Sequence, residues 1–476
     1  MSNFSSRQDS EEMEELLRAY NSLRMGRSHS FIEEENFERI IDYYDDKEDL
    51  PAAIEAAENG IQQYPYSSSL LLKKADLQIA GKKYTEALAT LSQSEVFDSS
   101  NITLYILKTD ACLALDRHEE AVHLLETALD LFEGEERIEL LFELADVYDD
   151  YEDFQKVFEC LKLVLEEDPV NEEALMKICF WADFTGRCEE SIRLHLDIID
   201  NHPFNELAWF NLGTAYQALK LYEKAIDAYL YALAIDEKFD IAYRNMADAY
   251  IRLRKYKDAI ESLEKVLELS RPEDVIHEAI GHCFHKQNNF AQARFHYRKA
   301  SHLNPDDSKL YYKIALTYYK ENQLESAVKQ LDSAMKIHKL QPEYNLLMGE
   351  CKLDQGKIKD AVVYFSNVVR IRPKNASGWE ALIRCLVKAE YFEEAAEQTL
   401  HAIQATGGKP LFQYYYSAIL FSLGKSKEGL LQLENALVLN VKLLKKFIAL
   451  QPQLLRNQAV ADLIVRYKGK KGKNKL

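Results

Sequence analysis

Apolar residues recur along most of this chain at the three-to-four-residue spacing of amphipathic helices. In the middle of the chain, Trp209, Leu212 and Tyr216 mark one apolar helix face, and Ala225 and Tyr229 mark the face of a second helix. No segment alternates apolar and polar residues between strand-like turn signals. The pattern therefore predicts an all-α fold built from short helices.

The helical pattern repeats every 34 residues, and one small residue makes the period visible. From Ala225 this position advances in steps of 34 to Ala259, Ala293, Ala327, Ala361, Ala395 and Gly429. In the other direction it reaches Ser191 and Val157 and then, after a two-residue slip, Ala121, Ala87 and Ala53. A small residue occupies eleven of these twelve positions, as expected where two helices cross at their closest approach.

The spacing W-x2-L-G-x2-Y, followed by A-x3-aromatic, resembles the tetratricopeptide repeat (TPR). Units in this register cover residues 34–443, as in the long bacterial TPR arrays. The resemblance implies a right-handed solenoid of antiparallel helix pairs, each with a helix A and a helix B. The predicted repeats are 34–67, 68–101, 102–135, 138–171, 172–205, 206–239, 240–273, 274–307, 308–341, 342–375, 376–409 and 410–443.

Three segments outside the repeats receive separate predictions. Residues 1–33 are polar and acidic and are predicted to be a disordered or partly helical leader. Residues 444–467 carry an apolar stripe and are predicted to form a helix that caps the last repeat. The lysine-rich tail, 468–476, is predicted to be disordered. The slip at 134–137 indicates either a kink or a slightly longer turn in a continuous solenoid.

Glycine lies at the predicted turn between helix A and helix B in four repeats, at Gly81, Gly186, Gly356 and Gly424. Glycine readily adopts the positive φ that helps to end a helix. We therefore expect each of these glycines to end its helix A.

Composition and charge narrow the class of partner and the location. The chain has 59 Lys and Arg against 78 Asp and Glu, a net charge of −19, which disfavours sequence-independent binding to nucleic acids and to anionic membranes. The seven cysteines form no CxxC pair, which is typical of a reducing compartment. Neither a secretory signal nor an apolar stretch of about 20 residues is found, so we expect a cytoplasmic protein.

No catalytic or phosphate-binding motif is found, since GxGxxG, GxxxxGK, HExxH and GxSxG are all missing from the sequence. We therefore expect no catalysis and no cofactor. His277, Glu278, His282 and His285 could share one helix face, but a metal site needs three or four convergent ligands, so solvated histidines are the preferred interpretation. The aromatic residues at one repeat position are predicted to be core: Tyr216, Tyr250, Phe284 and Tyr318.

The resemblance implies that the A helices line a concave groove and that their inward side chains contact an extended peptide or a partner helix. In the first half the inward candidates are acidic and aromatic: Asp42, Asp76, Asp110, Asp146, Phe142, Phe180 and Phe210. Further along they include Asn211, Arg244, Asn245, Lys286 and Lys313. Such a change of sign would orient a dipolar partner. The alternative is a solvated helix face whose charges only maintain solubility.

These observations predict a non-enzymatic adaptor that holds a protein or peptide in its groove, with aromatic anchors supplying most of the binding energy. Two alternatives remain: self-association into a scaffold and, less favoured by the net charge, an RNA-linked role. The TPR clamp that binds chaperone C-termini is not matched. Asn211 and Asn245 fit one clamp position, but Phe210 and Thr214 occupy the places of its lysine and asparagine.

Overall fold

The computed structural model describes residues 2–25 and 31–473, and every regular element within them is helical. The chain divides into two compact units, residues 1–245 and residues 246–476. The boundary falls within one helix, α14, which spans Asp240–Arg252. In chain order, helices α2 to α25 alternate between the A and B positions of the 34-residue register.

The first unit begins with one additional helix, α1, followed by helix pairs. The helices before α14 are α1 (Ser2–Arg24), α2 (Glu34–Asp45), α3 (Leu50–Gln63), α4 (Ser68–Ala80), α5 (Tyr84–Phe97), α6 (Ile102–Ala114), α7 (His118–Ala128), α8 (Glu135–Asp150), α9 (Phe154–Glu167), α10 (Glu172–Phe184), α11 (Cys188–Asn201), α12 (Glu206–Ala218) and α13 (Tyr222–Ile235).

The second unit continues the pairs and ends in the cap. The pairs comprise α15 (Tyr256–Leu269), α16 (Asp274–Lys286), α17 (Phe290–Leu303), α18 (Ser308–Lys320), α19 (Leu324–Ile337), α20 (Pro342–Asp354), α21 (Ile358–Ile371), α22 (Ala376–Lys388), α23 (Phe392–Ala405), α24 (Pro410–Ser422) and α25 (Ser426–Asn440). The cap comprises a 3-10 turn (Val441–Leu443), α26 (Leu444–Leu450), a second 3-10 turn (Pro452–Arg456) and α27 (Gln458–Lys473).

Short polar residues start several A helices. Ser67 accepts a hydrogen bond from the backbone N–H of Leu70 (3.1 Å), and Asn205 accepts one from the N–H of Ala208 (2.8 Å). Such caps satisfy backbone donors that have no partner in the first turn of a helix. The start of helix A is therefore encoded locally, one residue before the helix.

The turn from helix A to helix B places one residue per repeat in the left-handed region. Gly186, Gly356 and Gly424 have this conformation, with φ of 73°, 75° and 77°, which confirms the prediction for these three glycines. Gly81 also ends its helix A, as the C-cap of α4, but its φ is −78° rather than positive. In that repeat the left-handed residue is the next one, Lys82, at φ 59°. The turn geometry selects this position whether or not it carries glycine.

The crossing of helices A and B is the closest contact in each pair. The small position is buried throughout, from Ala53 to Ala395, and the bulkier Val157 is buried as well. Opposite it, Gly213 lies so close to Tyr229 that an added Cβ would be 2.5 Å from the ring. Gly281 and Gly349 face Tyr297 and Phe365 in the same way. These three pairs thus interlock through one glycine and one aromatic ring.

The predicted core aromatics are only partly buried. Tyr216, Tyr250, Phe284 and Tyr318 are half-exposed, although Tyr216, Phe284 and Tyr318 do pack against buried clusters. Their rings therefore cover the edge of the core rather than fill its centre.

Within each unit, the A helices of successive pairs also pack side by side. In the first unit α4 contacts both α2 and α6, and α10 contacts α12. In the second unit α20 contacts both α18 and α22. Successive B helices contact each other less. The A helices of these neighbouring pairs therefore lie side by side on one surface of their unit.

The start of the chain contains an ordered element within the predicted leader. Helix α1 spans Ser2–Arg24, and its residue Tyr20 is buried. The Tyr20 ring meets Phe37 edge-on at 6.3 Å, and its hydroxyl accepts a hydrogen bond from Asn59 at 3.1 Å. This apolar contact attaches α1 to the first pair. Residues 26–30 of the predicted leader lie outside the described residues.

The slip and the cap have their own local geometry. Around the two-residue slip at 134–137, α7 is short and α8 is long, with Gly134 at φ 64° before α8. The kink stays a prediction.

The cap differs from the single helix expected over 444–467. It breaks at Gln451 and Pro452, where a 3-10 turn lets both Phe447 and Val460 enter one buried cluster with Leu433. The tail is helical up to Lys473, and residues 474–476 lie outside the described part.

We predict that Gly213→Ala destabilises the protein by about 1–2 kcal/mol, because overpacking against Tyr229 outweighs the roughly 1 kcal/mol that alanine contributes to helix propensity. Thermal and denaturant unfolding measure the change. In a Tyr229→Leu background the same substitution should become neutral or stabilising. A stabilising Gly213→Ala in the native background would contradict the close crossing.

We also predict that Lys220→Gly stabilises the protein by about 0.5–1 kcal/mol, since Lys220 has a φ of 62° and glycine adopts this region without steric cost. The matched control is Lys238→Gly, an exposed turn lysine in the same unit without a positive φ. A melting temperature that falls equally for both variants would argue against strain at Lys220.

Candidate functional site

The predicted aspartates lie at one repeated position on four A helices. Asp42 on α2, Asp76 on α4, Asp110 on α6 and Asp146 on α8 are each the ninth residue of their repeat, and all four are exposed. Glu143, three residues before Asp146, adds a fifth carboxylate on α8. We call Asp42, Asp76, Asp110, Glu143 and Asp146 the acidic ladder.

The carboxylates of the ladder are close enough to repel one another. Partial desolvation raises the pKa of Asp76, and the charge of Asp45 raises it further against the opposing effect of Lys73. Desolvation also raises the pKa of Asp110, with Asp76 as the second cause. These repulsions therefore run from α2 through α4 to α6.

The same repulsion continues to α8. Desolvation raises the pKa of Glu143, and Asp110, Asp146 and Glu139 raise it further. Few cations offset these charges. Lys73 forms an ion pair with Asp42, whereas within residues 31–467 no ion pair involves Asp76, Asp110, Glu143 or Asp146. The ladder thus carries more negative charge than its own surroundings neutralise.

Helix α10 continues the same face with apolar side chains. Phe180 is the ninth residue of its repeat, and Met176 and Phe184 lie four residues before and after it, so that the three share one helix face. Their exposed fractions are 64% for Met176, 59% for Phe180 and 59% for Phe184. We call these three residues the apolar stripe.

Other aromatic rings hold the stripe in place. Phe180 stacks on Phe184 at 5.9 Å and meets Trp181 edge-on at 4.9 Å. Phe154 of α9 stacks on Trp181 at 5.3 Å and contacts Phe184 at 4.9 Å. Aromatic pairs of this geometry attract each other beyond simple burial. The exposed rings are therefore supported by a cluster beneath them.

The stripe and the ladder are neighbours on the surface. Lys177 of α10 lies 5.2 Å above the ring of Phe142 on α8. The pKa of Lys177 is raised, chiefly by its 2.7 Å ion pair with Glu173 and also by the charge of Asp146. Phe142 is half-buried beside the acidic residues of α8. Lys177 and Phe142 therefore form the junction between the two groups.

Two predicted groove residues are instead part of the packing. Phe210 is 9% exposed, with its ring 5.0 Å from Phe239 and 5.8 Å from Tyr229. Asn211 is 1% exposed and donates a 2.7 Å hydrogen bond to the carbonyl oxygen of Leu175. Their assignment to an accessible surface is wrong, because Asn211 faces α10, which packs closely against α12, and Phe210 packs against Tyr229 of α13 and Phe239 just before α14.

The predicted basic residues are less uniform than expected. Arg244 and Asn245 are half-buried in the first unit. In the second unit Lys286 is exposed, whereas Lys313 is half-buried and forms an ion pair with Glu278. That pair offsets the charge of Lys313. A binding role for these four residues stays a prediction.

The three histidines of α16 are at least partly buried: His282 and His285 are half-buried. His277 is buried, with its Nδ1 3.3 Å from Nδ1 of His296 on α17. Desolvation lowers the pKa of His277, His282 and His285, and it lowers that of His296 to about 4. No group of three or more His, Cys, Asp or Glu in the described part of the chain could hold a metal ion. His277 and His296 therefore serve as neutral packing groups.

Sequence reasoning missed Met176, Phe184 and Glu143. All three could have been found from residues already singled out, because Met176 and Phe184 lie four residues from Phe180 and Glu143 lies three residues from Asp146. The supporting rings of Phe154 and Trp181 carry no comparable signal, since they come from two helices whose contact is tertiary.

The comparisons with known proteins agree with this architecture. Residues 188–350 match the family model of the tetratricopeptide repeat protein 21 C-terminal ARM domain. No curated protein gives a significant sequence match. Paired helices in a 34-residue register and the family match together define an all-α helical-repeat protein. More narrowly, the chain is a TPR-like repeat protein.

Many solved structures share the repeat fold. A C-terminal part of a TPR repeat-containing protein from Cytophaga hutchinsonii is 16% identical, with 54% of this chain and 99% of that chain covered and a TM-score of 0.43. YrrB, described as a TPR protein with an unusual peptide-binding site, is 18% identical, with 39% and 96% covered and a TM-score of 0.35. At these identities and scores the likeness carries no information on binding.

A further TPR protein, from Parabacteroides merdae, is 20% identical, with 52% of this chain and 97% of that chain covered and a TM-score of 0.36. Over the described residues, no helix combines the length and the apolar character that crossing a bilayer requires.

We predict that Asp110→Asn together with Glu143→Gln raises the melting temperature at pH 7 by removing like-charge repulsion of about 0.2–0.5 kcal/mol per pair. The sign follows from the raised pKa values. A carboxyl whose pKa is raised in the folded protein lowers the free energy of unfolding as the pH rises from its unfolded pKa through its folded pKa. The stability that the double variant gains should therefore vanish below about pH 3, where the carboxyls are protonated in both states. Thermal melting from pH 3 to pH 8 measures it.

The control for this variant is Glu119→Gln with Asp130→Asn, which removes the same charge from exposed positions on and just after a B helix of the same unit. The control should change the melting temperature less. An equal gain in both variants would assign the effect to net charge rather than to the ladder.

Proposed function

We propose that this protein is a non-enzymatic, cytoplasmic interaction adaptor that binds a peptide segment of a partner protein on the A-helix surface of residues 1–245. The observation that carries the proposal is the apolar stripe of Met176, Phe180 and Phe184, which is exposed on that surface. The remainder of the A-helix surface would contribute complementarity around this anchor.

The stripe has the properties of a binding anchor. Single exposed apolar residues are common on soluble proteins, whereas a contiguous row of three indicates an interaction site. Bulky side chains that desolvate on binding supply most of the energy at protein interfaces. Because Phe154 and Trp181 pack beneath the exposed rings, binding would require little additional ordering of side chains.

The architecture supports the same proposal. TPR-like repeat folds generally form surfaces for protein partners, and stacked repeats offer a long surface rather than a closed pocket. The stripe lies on α10 and the acidic ladder extends over α2, α4, α6 and α8, so an extended segment would contact several repeats at once. A reducing compartment is consistent with seven free cysteines, six of which are buried.

The test is selection of random peptides displayed on phage against the full-length protein, followed by affinity measurements on the selected peptides. We predict that Phe180→Ser weakens their binding at least about tenfold, the loss expected for an interface anchor. Met176→Ser, a second stripe variant that removes no aromatic ring, should weaken binding in the same direction and keeps the test independent of aromatic packing.

The matched control is Phe204→Ser, since Phe204 is 83% exposed in the same unit but lies in the turn before α12. Melting curves establish that all variants are folded. Equal affinity of the stripe variants and the native protein, or an equal loss in the Phe204 variant, would remove the stripe from the proposed function.

A further inference from the structure

We infer that the segment bound at the apolar stripe is basic, with a bulky apolar residue placed on the stripe and lysine or arginine side chains extending along the acidic ladder. The inference rests on the proposed function and specifies the chemistry of the partner. Two independent features carry it: the exposed apolar row on α10 and the uncompensated carboxylates on the preceding A helices.

The register of the repeats places both features along one line. Phe180 occupies the ninth position of its repeat, which Asp146, Asp110 and Asp76 occupy in the three preceding repeats. The junction at Lys177 and Phe142 joins α10 to α8. An extended segment anchored on Phe180 and directed toward the start of the chain therefore meets one carboxylate position on each A helix.

The geometry also predicts a spacing for the basic residues. Packed helices lie about 8–10 Å apart, and an extended chain advances about 3.3 Å per residue. One A helix thus corresponds to about three residues of the bound segment. The expected pattern is a bulky apolar residue followed or preceded by lysine or arginine at about every third position.

Charge complementarity favours a basic partner over the alternatives. Asp76, Asp110 and Glu143 repel one another in a partly desolvated setting, where charges interact more strongly than in bulk water. A cationic side chain between them relieves this repulsion, whereas an acidic segment or a nucleic acid adds to it. The ladder would therefore select against anionic partners as well as for basic ones.

An apolar partner alone would explain the stripe but not the ladder. A protein that needed only apolar contacts gains nothing from Asp76, Asp110 and Glu143, whose mutual repulsion opposes folding. Retaining uncompensated charge beside an exposed apolar row is typical of a surface shaped by binding rather than by stability. The basic segment accounts for both features with one occupant.

The test uses the peptides selected on phage. We expect the selected sequences to contain more lysine and arginine than the starting library, at about three-residue spacing from a bulky apolar residue. A synthetic peptide from this pool should lose at least about tenfold in affinity when its basic residues become glutamate, and its affinity should fall with rising salt.

The protein side of the test is Asp110→Asn with Glu143→Gln, which should weaken binding of the basic peptide at least about tenfold. The control, Glu119→Gln with Asp130→Asn, removes the same charge elsewhere in the unit and should leave the affinity within about twofold of native, because exposed charges beyond about 8–10 Å are screened at physiological salt.

The outcomes separate the inference from the proposed function. Suppose that the stripe variants lose binding, but the selected peptides show no excess of basic residues or the ladder variant binds as tightly as the native protein. The inference of a basic segment is then wrong, and the proposed adaptor function is retained. If the stripe variants bind normally, or if no peptide is selected, the proposed function fails and the inference fails with it.

Discussion

The close crossing of helix A and helix B is the contact on which the rest of the structure depends. Where Gly213 faces Tyr229, no side chain separates the helix from the aromatic ring, and Ala225 occupies the next turn of helix B. This contact fixes the rotation of helix A about its own axis. It therefore decides which positions are buried and which, such as the ninth, face outward.

The outward face of the A helices in the first unit is not arranged for stability. Its carboxylates repel one another along α4, α6 and α8, and its apolar row on α10 remains in contact with water. In the second unit, by contrast, Glu278 and Lys313 meet as an ion pair. Stable folds usually pair or cover such groups, so their persistence in the first unit is best explained by an external partner.

Much of the fold and part of the candidate site could be predicted from the sequence. The 34-residue period gave the helix pairs, and the aspartates at the ninth position are indeed exposed on successive A helices. Phe210 and Asn211 could not be assigned correctly, because their burial depends on contacts with other elements. Asn211 is buried where α12 approaches α10, and Phe210 is buried against Tyr229 and Phe239. The left-handed residue at Lys82 was missed because residue type pointed to Gly81, whereas the backbone geometry of the turn decides the position.

Local patterns in the sequence determined where helices begin, where they turn and which faces they bury, because capping, helical periodicity and small residues act over a few neighbouring positions. Only the tertiary structure decided which surface groups lie together. The packing of Phe154 under Trp181 and the approach of Lys177 to Phe142 each join different helices. Such contacts depend on distances between helices, and an exposed position therefore becomes a site only when the repeats are assembled.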